Sequence, residues 1–331
     1  MLFFPLSLGF APKSEQMKGF SQFIFLVLFL LYSPVFIFAQ AADSLVLNTP
    51  TGDLYGTLLT PKTDQKVPVV LFIVGSGPTD RDGNSPYTKN NSLKFLAEAL
   101  QEKGIASLRY DKRGIAQSSK ALDSVQNLRL DTWVQDAKDW VHLLQKRNQF
   151  STITILGHSQ GSLVGMLAAQ DSAVNKYISA AGAGAPINEI LETQLAANSP
   201  LVLGAAKPIL DSLAAGYLVQ QVPPMLQSLF APQVQPFLIS WMKYDPAKAI
   251  KKLDIPCLIV QGNTDLQVSV KDAQNLKDAN PKAQLLIIDQ MNHLFKQVSD
   301  NRAENMKTYT NPDLPVMPKF VDGIVQFVKD R

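Results

Sequence analysis

Ser159 stands in the pentad Gly157-His158-Ser159-Gln160-Gly161, which fits the pattern G-x-S-x-G. A serine hydroxyl is a poor nucleophile at neutral pH and needs an adjacent base, usually a histidine. A sharp strand-to-helix turn lifts its oxygen above the sheet edge. Glycines two positions before and after are wanted there, because side chains would clash in the tight corner. Gly157 and Gly161 meet that need. The N–H of Gln160, opening the helix, is placed to donate to a developing oxyanion, helped by the helix dipole.

The base follows by elimination among three histidines. His158 adjoins the serine in the corner, so its side chain should point away. His142 lies in a helical stripe upstream of the corner, far from the strand ends. His293, in Asp289-Gln290-Met291-Asn292-His293, follows an apolar run at 283–288. That is the carboxyl end of a strand, where open α/β sheets hold ligands. The imidazole needs a carboxylate to fix its tautomer. Asp265, in Gly262-Asn263-Thr264-Asp265 after the apolar run 255–260, is the first choice, and Asp289 is the rival. A second oxyanion donor should come from Gly75-Ser76-Gly77-Pro78: the Ser76 N–H, with Gly77 next. The continuation Asp80-Arg81-Asp82-Gly83-Asn84 reads equally as a solvated loop or as a brace built on a paired aspartate and arginine.

These residues need a scaffold, and the flanking patterns supply one. Residues 44–48 and 54–60 flank the turn 49–53 and read as a hairpin. The run VPVVLFIV at 67–74 has the length and continuity of a strand buried on both faces. Leu93, Leu96, Ala97 and Leu100 form one helical face that Gly104 ends. Residues 105–110 are the next strand. Trp133, Val134, Ala137, Trp140, Val141 and Leu144 make another stripe, with Asp131 as its expected N-cap. A β-branched strand at 152–156 runs into the pentad, and a helix follows it. Residues 187–242 break the alternation: rich in Ala, Leu and Pro, they carry only Glu189, Glu192, Lys207 and Asp211 as charges. They read as a helical cap. Strand and helix then alternate again, at 255–260, 270–279, 283–288 and 320–328. The fold class is α/β, with helices on both faces of a mostly parallel sheet.

Composition narrows the options. The chain has 331 residues, 46% hydrophobic and 18% charged, with a formal net charge of +3. There is no long basic run, so nucleic acid is not an expected partner. Cys257, the single cysteine, lies in an apolar run and reads as an inert buried thiol. The His and Cys content does not suggest a zinc site. At the N-terminus, Lys13 and Lys18 precede an apolar run at 20–38, broken by Ser33-Pro34 and followed by Ala39-Gln40-Ala41. That is the layout of a secretory signal peptide over 1–41, cut after Ala41 or after Ala39, with Met17 a possible true start. A retained anchor is the rival reading. Cleavage would leave a secreted or periplasmic chain over 42–331 without stable membrane association.

The motifs VGSGPTDRDGN (74–84), RYDKRG (109–114), GHSQG (157–161), QGNTDLQV (261–268) and MNH (291–293) resemble the α/β-hydrolase superfamily. Within it they resemble secreted bacterial esterases of the serine-aminopeptidase-like branch. The order Ser159, Asp265, His293 is also the order of that superfamily. Val74 departs from a histidine common before the oxyanion glycine, and Ala116 from a common glycine. The resemblance implies an α/β-hydrolase fold with a cap insertion at about 187–242. It also implies acyl transfer to water through an acyl-enzyme on Ser159, with no metal or organic cofactor. A carboxylesterase acting on a small-molecule ester is the first expectation, its sparsely charged cap roofing the substrate. A peptidase with the same triad is the second, with Glu189 or Glu192 anchoring a peptide α-amine. A non-catalytic binding module is the third.

Overall fold

The computed structural model describes residues 42–330; the segment expected to be a signal peptide, 1–41, lies outside them. The described residues open with the antiparallel hairpin β1 (Ala42–Thr49) and β2 (Gly52–Leu59). Then follow β3 (Val67–Ile73), α1 (Ser92–Glu102), β4 (Ala106–Tyr110), α2 (Leu130–Lys146), β5 (Phe150–His158), α3 (Gln160–Ala168) and β6 (Lys176–Ala180). The cap holds α4 (Ile187–Asn198), α5 (Pro200–Ala214), α6 (Gln227–Phe230) and α7 (Gln235–Met242). The chain closes with α8 (Pro246–Ile250), β7 (Cys257–Gly262), α9 (Val270–Ala279), β8 (Gln284–Ile288), α10 (Arg302–Lys307) and α11 (Pro318–Lys329).

One eight-stranded sheet runs β1-β2-β4-β3-β5-β6-β7-β8. The hairpin joins β4 antiparallel, and from β4 to β8 every pairing is parallel. The strands read as unbroken apolar runs because helices cover both faces. On one face Leu71, Leu108, Tyr110 and Ile155 pack with Ala137, Trp140, Val141 and Leu144 of α2. On the other, Val70, Phe72, Leu156, Ile178 and Val260 pack with Leu93, Leu96 and Leu100 of α1 and Phe320, Ile324 and Phe327 of α11. Each such fully buried side chain contributes about 1.5–3 kcal/mol. The cap has its own small core, with Ile209, Leu210, Leu213, Leu226, Phe230 and Leu238.

The structure departs from the sequence reading in several details, among them short helices at Pro246–Ile250 and Arg302–Lys307 that it did not expect. Asp131 is not the N-cap of α2, because the helix starts at Leu130 with Arg129 in the cap position. Asp131 sits in the first turn, where the helix dipole still favours a carboxylate, and it accepts from the Tyr244 hydroxyl. The sequence reading also passed over β6. Only five residues long, with Lys176 at its edge, it offers neither alternation nor a long apolar run.

Candidate active site

Ser159 joins β5 to α3 with φ 54° and ψ −122°, a left-handed backbone that a non-glycine residue adopts only under constraint. Two close approaches enforce it. A Cβ on Gly157 would stand 2.2 Å from the Gly161 carbonyl oxygen, and one on Gly161 would stand 2.2 Å from that of Ile73. Both glycines are therefore required by space. The Ser159 N–H donates to Ala180 O at 3.0 Å, fixing the corner to the end of β6. Gln160 is the first residue of α3, so its N–H has no acceptor within the helix.

Past the end of β7, Asp265 is held from three sides. Its Oδ1 accepts from the N–H groups of Gln267 (2.8 Å) and Val268 (3.0 Å). Its Oδ2 accepts from Gln261 Nε2 (3.0 Å) and lies 2.8 Å from His293 Nδ1. Burial pushes the Asp265 carboxyl up, but the His293 charge, its hydrogen bond and the two backbone N–H groups outweigh that and hold it below the usual carboxylate range. With Nδ1–H donating to the carboxylate, His293 keeps Nε2 as a free acceptor. Asp289, the rival acid, instead accepts from Asn263 Nδ2 at 2.6 Å. Asn292 stiffens the histidine loop: its side chain accepts from the N–H groups of Leu294 and Lys296 and donates to Asn305 and Thr308.

Neither of the other histidines meets Asp265, although the His158 ring packs 4.8 Å from that of His293. His158 is buried and turns its Nε2 to the His293 carbonyl oxygen at 3.0 Å. Burial, then the charge of His293, pushes its pKa down to about 3, so it is neutral and donates that bond. It thereby supports the backbone of His293, a role the sequence did not suggest. His142 pairs with Asp171 at 2.9 Å on the surface.

The loop after β3 is braced rather than solvated. Arg81 is 9% exposed and makes a 2.6 Å ion pair with Asp111, while Arg109 lies 2.7 Å from Asp82. Beneath the loop lies Lys112, another residue whose role sequence reasoning missed. It is buried without a carboxylate partner among the described residues; its ammonium donates to the carbonyl oxygens of Gly75 (2.5 Å) and Gly77 (3.0 Å) and sits 4.8 Å from the Trp133 ring centroid. The Gly75 carbonyl belongs to the same peptide group as the Ser76 N–H. In a trans peptide the two point in opposite directions, so the ammonium fixes where that N–H aims.

Ser159 opens onto two cavities. One, of about 270 Å³, is lined by Ser76, Gln160 and apolar cap residues including Ile187, Leu191, Leu238 and Trp241. The other, of about 170 Å³, is lined by His293, Ser76, Ser85, Thr88, Ser92 and Tyr309 among others. No Asp, Glu, Lys or Arg is among the lining residues of either. Glu192 pairs with Lys207 at 3.2 Å instead, and neither it nor Glu189 borders the cavities. Cys257 is buried, its thiol pushed up to about 12 by burial. Among the described residues no three His, Cys, Asp or Glu side chains gather as metal ligands would.

Residues 90–229 match the family model described as serine aminopeptidase, S33. The chain is 30% identical over 245 residues to the esterase EstD of Thermotoga maritima, covering 73% of this chain and 58% of that protein. It thus spans little more than half the length of that relative. Among solved structures it is similar to Est1E from Butyrivibrio proteoclasticus with ferulic acid bound (TM-score 0.57, 18% identity, 86% of this chain and 100% of that one). It is also similar to proline iminopeptidase from Mycobacterium smegmatis (TM-score 0.54, 17% identity, 86% and 97%). Sheet order, sharp serine corner and these likenesses agree: the chain has the α/β-hydrolase fold.

Proposed function

We propose that the protein is a serine carboxylesterase with Ser159 as nucleophile, His293 as general base and Asp265 as the carboxylate that orients it. The observation that carries this reading is a single cavity lined by both the strained Ser159 and the carboxylate-backed His293. In the mechanism, His293 Nε2 takes the Ser159 proton as Oγ attacks the ester carbonyl. The oxyanion is met by the N–H groups of Gln160 and Ser76, with Gly77 as the alternative to Ser76. Each donor contributes about 3 kcal/mol to the transition state. Lys112 is a positioning residue for this hole, acting through the Gly75–Ser76 peptide. The imidazolium protonates the leaving alkoxide, and water repeats the attack on the acyl-enzyme.

Esters are favoured over peptides by the uncharged lining. An aminopeptidase must hold a charged α-amine, and neither cavity offers a carboxylate to receive one. The likeness to an esterase supports the same choice. The test is a fluorophosphonate probe with a paired substrate panel. Wild type should be labelled and Ser159→Ala should not. Wild type should also hydrolyse 4-nitrophenyl butyrate and leave aminoacyl nitroanilides intact. Preference for the nitroanilides would make it a peptidase; no labelling and no turnover would leave only a binding module. We also propose export, with cleavage after Ala41 or Ala39, from the lysine, apolar and alanine pattern before residue 42; N-terminal sequencing of the mature protein tests it.

A further inference from the structure

The two cavities differ in which parts of the machinery they touch. Gln160 borders only the apolar cavity and His293 only the polar one, while Ser159 and Ser76 border both. In acyl transfer the leaving oxygen must receive its proton from the imidazole, so the alcohol half of an ester lies on the histidine side. The acyl half then extends the other way, beneath the cap. The polar cavity is therefore the alcohol subsite.

Its lining indicates which alcohol. Ser85, Thr88, Gln267 and Tyr309 present hydroxyl and amide groups, with no fixed charge. Several have hydrogen-bonding capacity to spare. Ser85 and Thr88 pair their hydroxyls at 2.8 Å, which uses one O–H proton of the two. The Tyr309 hydroxyl accepts from Gln267 Nε2 at 2.9 Å, which leaves its own proton to give. An alkyl alcohol would cover these groups without satisfying them. A phosphorylated or carboxylated alcohol would find no cation among the lining side chains other than His293 once protonated.

Resting on the esterase reading above, we propose that this subsite takes a neutral polyhydroxylated alcohol, glycerol or a single sugar ring, esterified by an apolar acyl group. The bond between acyl carbon and polyol oxygen breaks as Ser159 Oγ bonds to that carbon. The serine proton passes through His293 to the polyol oxygen. Water then enters the vacated cavity, its oxygen bonds to the acyl carbon as the bond to Ser159 Oγ breaks, and its proton passes through His293 back to Ser159 Oγ, releasing the free acid.

The test holds the acyl group constant and varies the alcohol: glyceryl monobutyrate, 6-O-butyryl glucose, n-butyl butyrate and 4-nitrophenyl butyrate. One or both polyol esters should exceed n-butyl butyrate in kcat/KM by about 10-fold; the better of the two tells a short polyol from a sugar ring. Thr88→Val and Tyr309→Phe should each lower the ratio of polyol to n-butyl ester by about 5-fold, chiefly through KM. Turnover of 4-nitrophenyl butyrate with n-butyl ester equal to or better than the polyols overturns the subsite and leaves the esterase reading standing. So does an unchanged ratio in both folded variants. No turnover of any ester overturns both.

Discussion

Replacing Lys112 with methionine separates the oxyanion hole from the stability of the fold. The side chains are similar in length, so the space beneath the loop stays filled. What disappears is the ammonium that donates to Gly75 O and Gly77 O. Two bounds frame the catalytic effect. If the Ser76 N–H keeps its aim and loses only the polarisation of its peptide, a strengthening of about 10–30% on one hydrogen bond is lost, and kcat falls only a few-fold. If the loop rotates the N–H away, the whole donor is lost, at about 10²–10³ in kcat. Methionine leaves the braced segment from Arg81 onward intact, so the outcome should lie between these limits, at about 10- to 100-fold.

Stability should move much less. The variant relieves the desolvation of a buried ammonium, a cost of several kcal/mol. It also strips two carbonyls of their donor, at about 1–3 kcal/mol each. These effects oppose each other, so Tm should shift by no more than about 4 °C. The assay is kcat and KM on 4-nitrophenyl butyrate, with the affinity of a trifluoromethyl ketone analogue. Inhibitor affinity should weaken in step with kcat/KM while KM stays within about 2-fold, since only the transition state is touched. Burial pushes Lys112 down to about 7, and the charged form is the stronger donor. Wild-type kcat should therefore decline as pH rises past that value, and Lys112→Met should lack the decline. A folded variant with wild-type kcat, or one altered in KM alone, would refute the reasoning.

Asp265→Asn should cut kcat by about 10³–10⁴ with little change in KM, because the wrong tautomer of His293 is then held. The same carboxyl has its folded pKa depressed, so its stabilisation is full above its unfolded pKa of about 3.9 and lost as pH falls through the lower folded value; Tm against pH should flatten on the acid side in Asp265→Asn. Trp241→Ala opens the cavity beneath the cap and should shift preference from butyryl toward octanoyl esters, by up to about 4-fold per added methylene in kcat/KM. His142→Ala removes only a surface pair with Asp171; it should leave kcat near wild type and stability within about 0.5 kcal/mol by denaturant titration.

What could be read in the sequence and what could not divide along a physical line. Gly157 and Gly161 were legible because steric exclusion selects one residue type, and here backbone from the same turn and from β3 fills the space a side chain would need. The meeting of Asp265 with His293 was legible because each follows an apolar strand run, and a strand end is a fixed address in a parallel sheet. The roles that escaped belong to side chains that act on backbone oxygens. Lys112 donates to Gly75 and Gly77, His158 to His293, and Gln194 of the cap to Gln267 beside the acid loop. Every residue carries a backbone carbonyl, so such a partner leaves no mark in the sequence. Lys112 lies 37 residues from Gly75 and His158 lies 135 from His293, and only the sheet order brings them together. The loop at 80–84 shows the intermediate case: its aspartates and arginine announced a possible brace, but a solvated loop reads the same until Asp111 arrives from the end of β4 to close the pair.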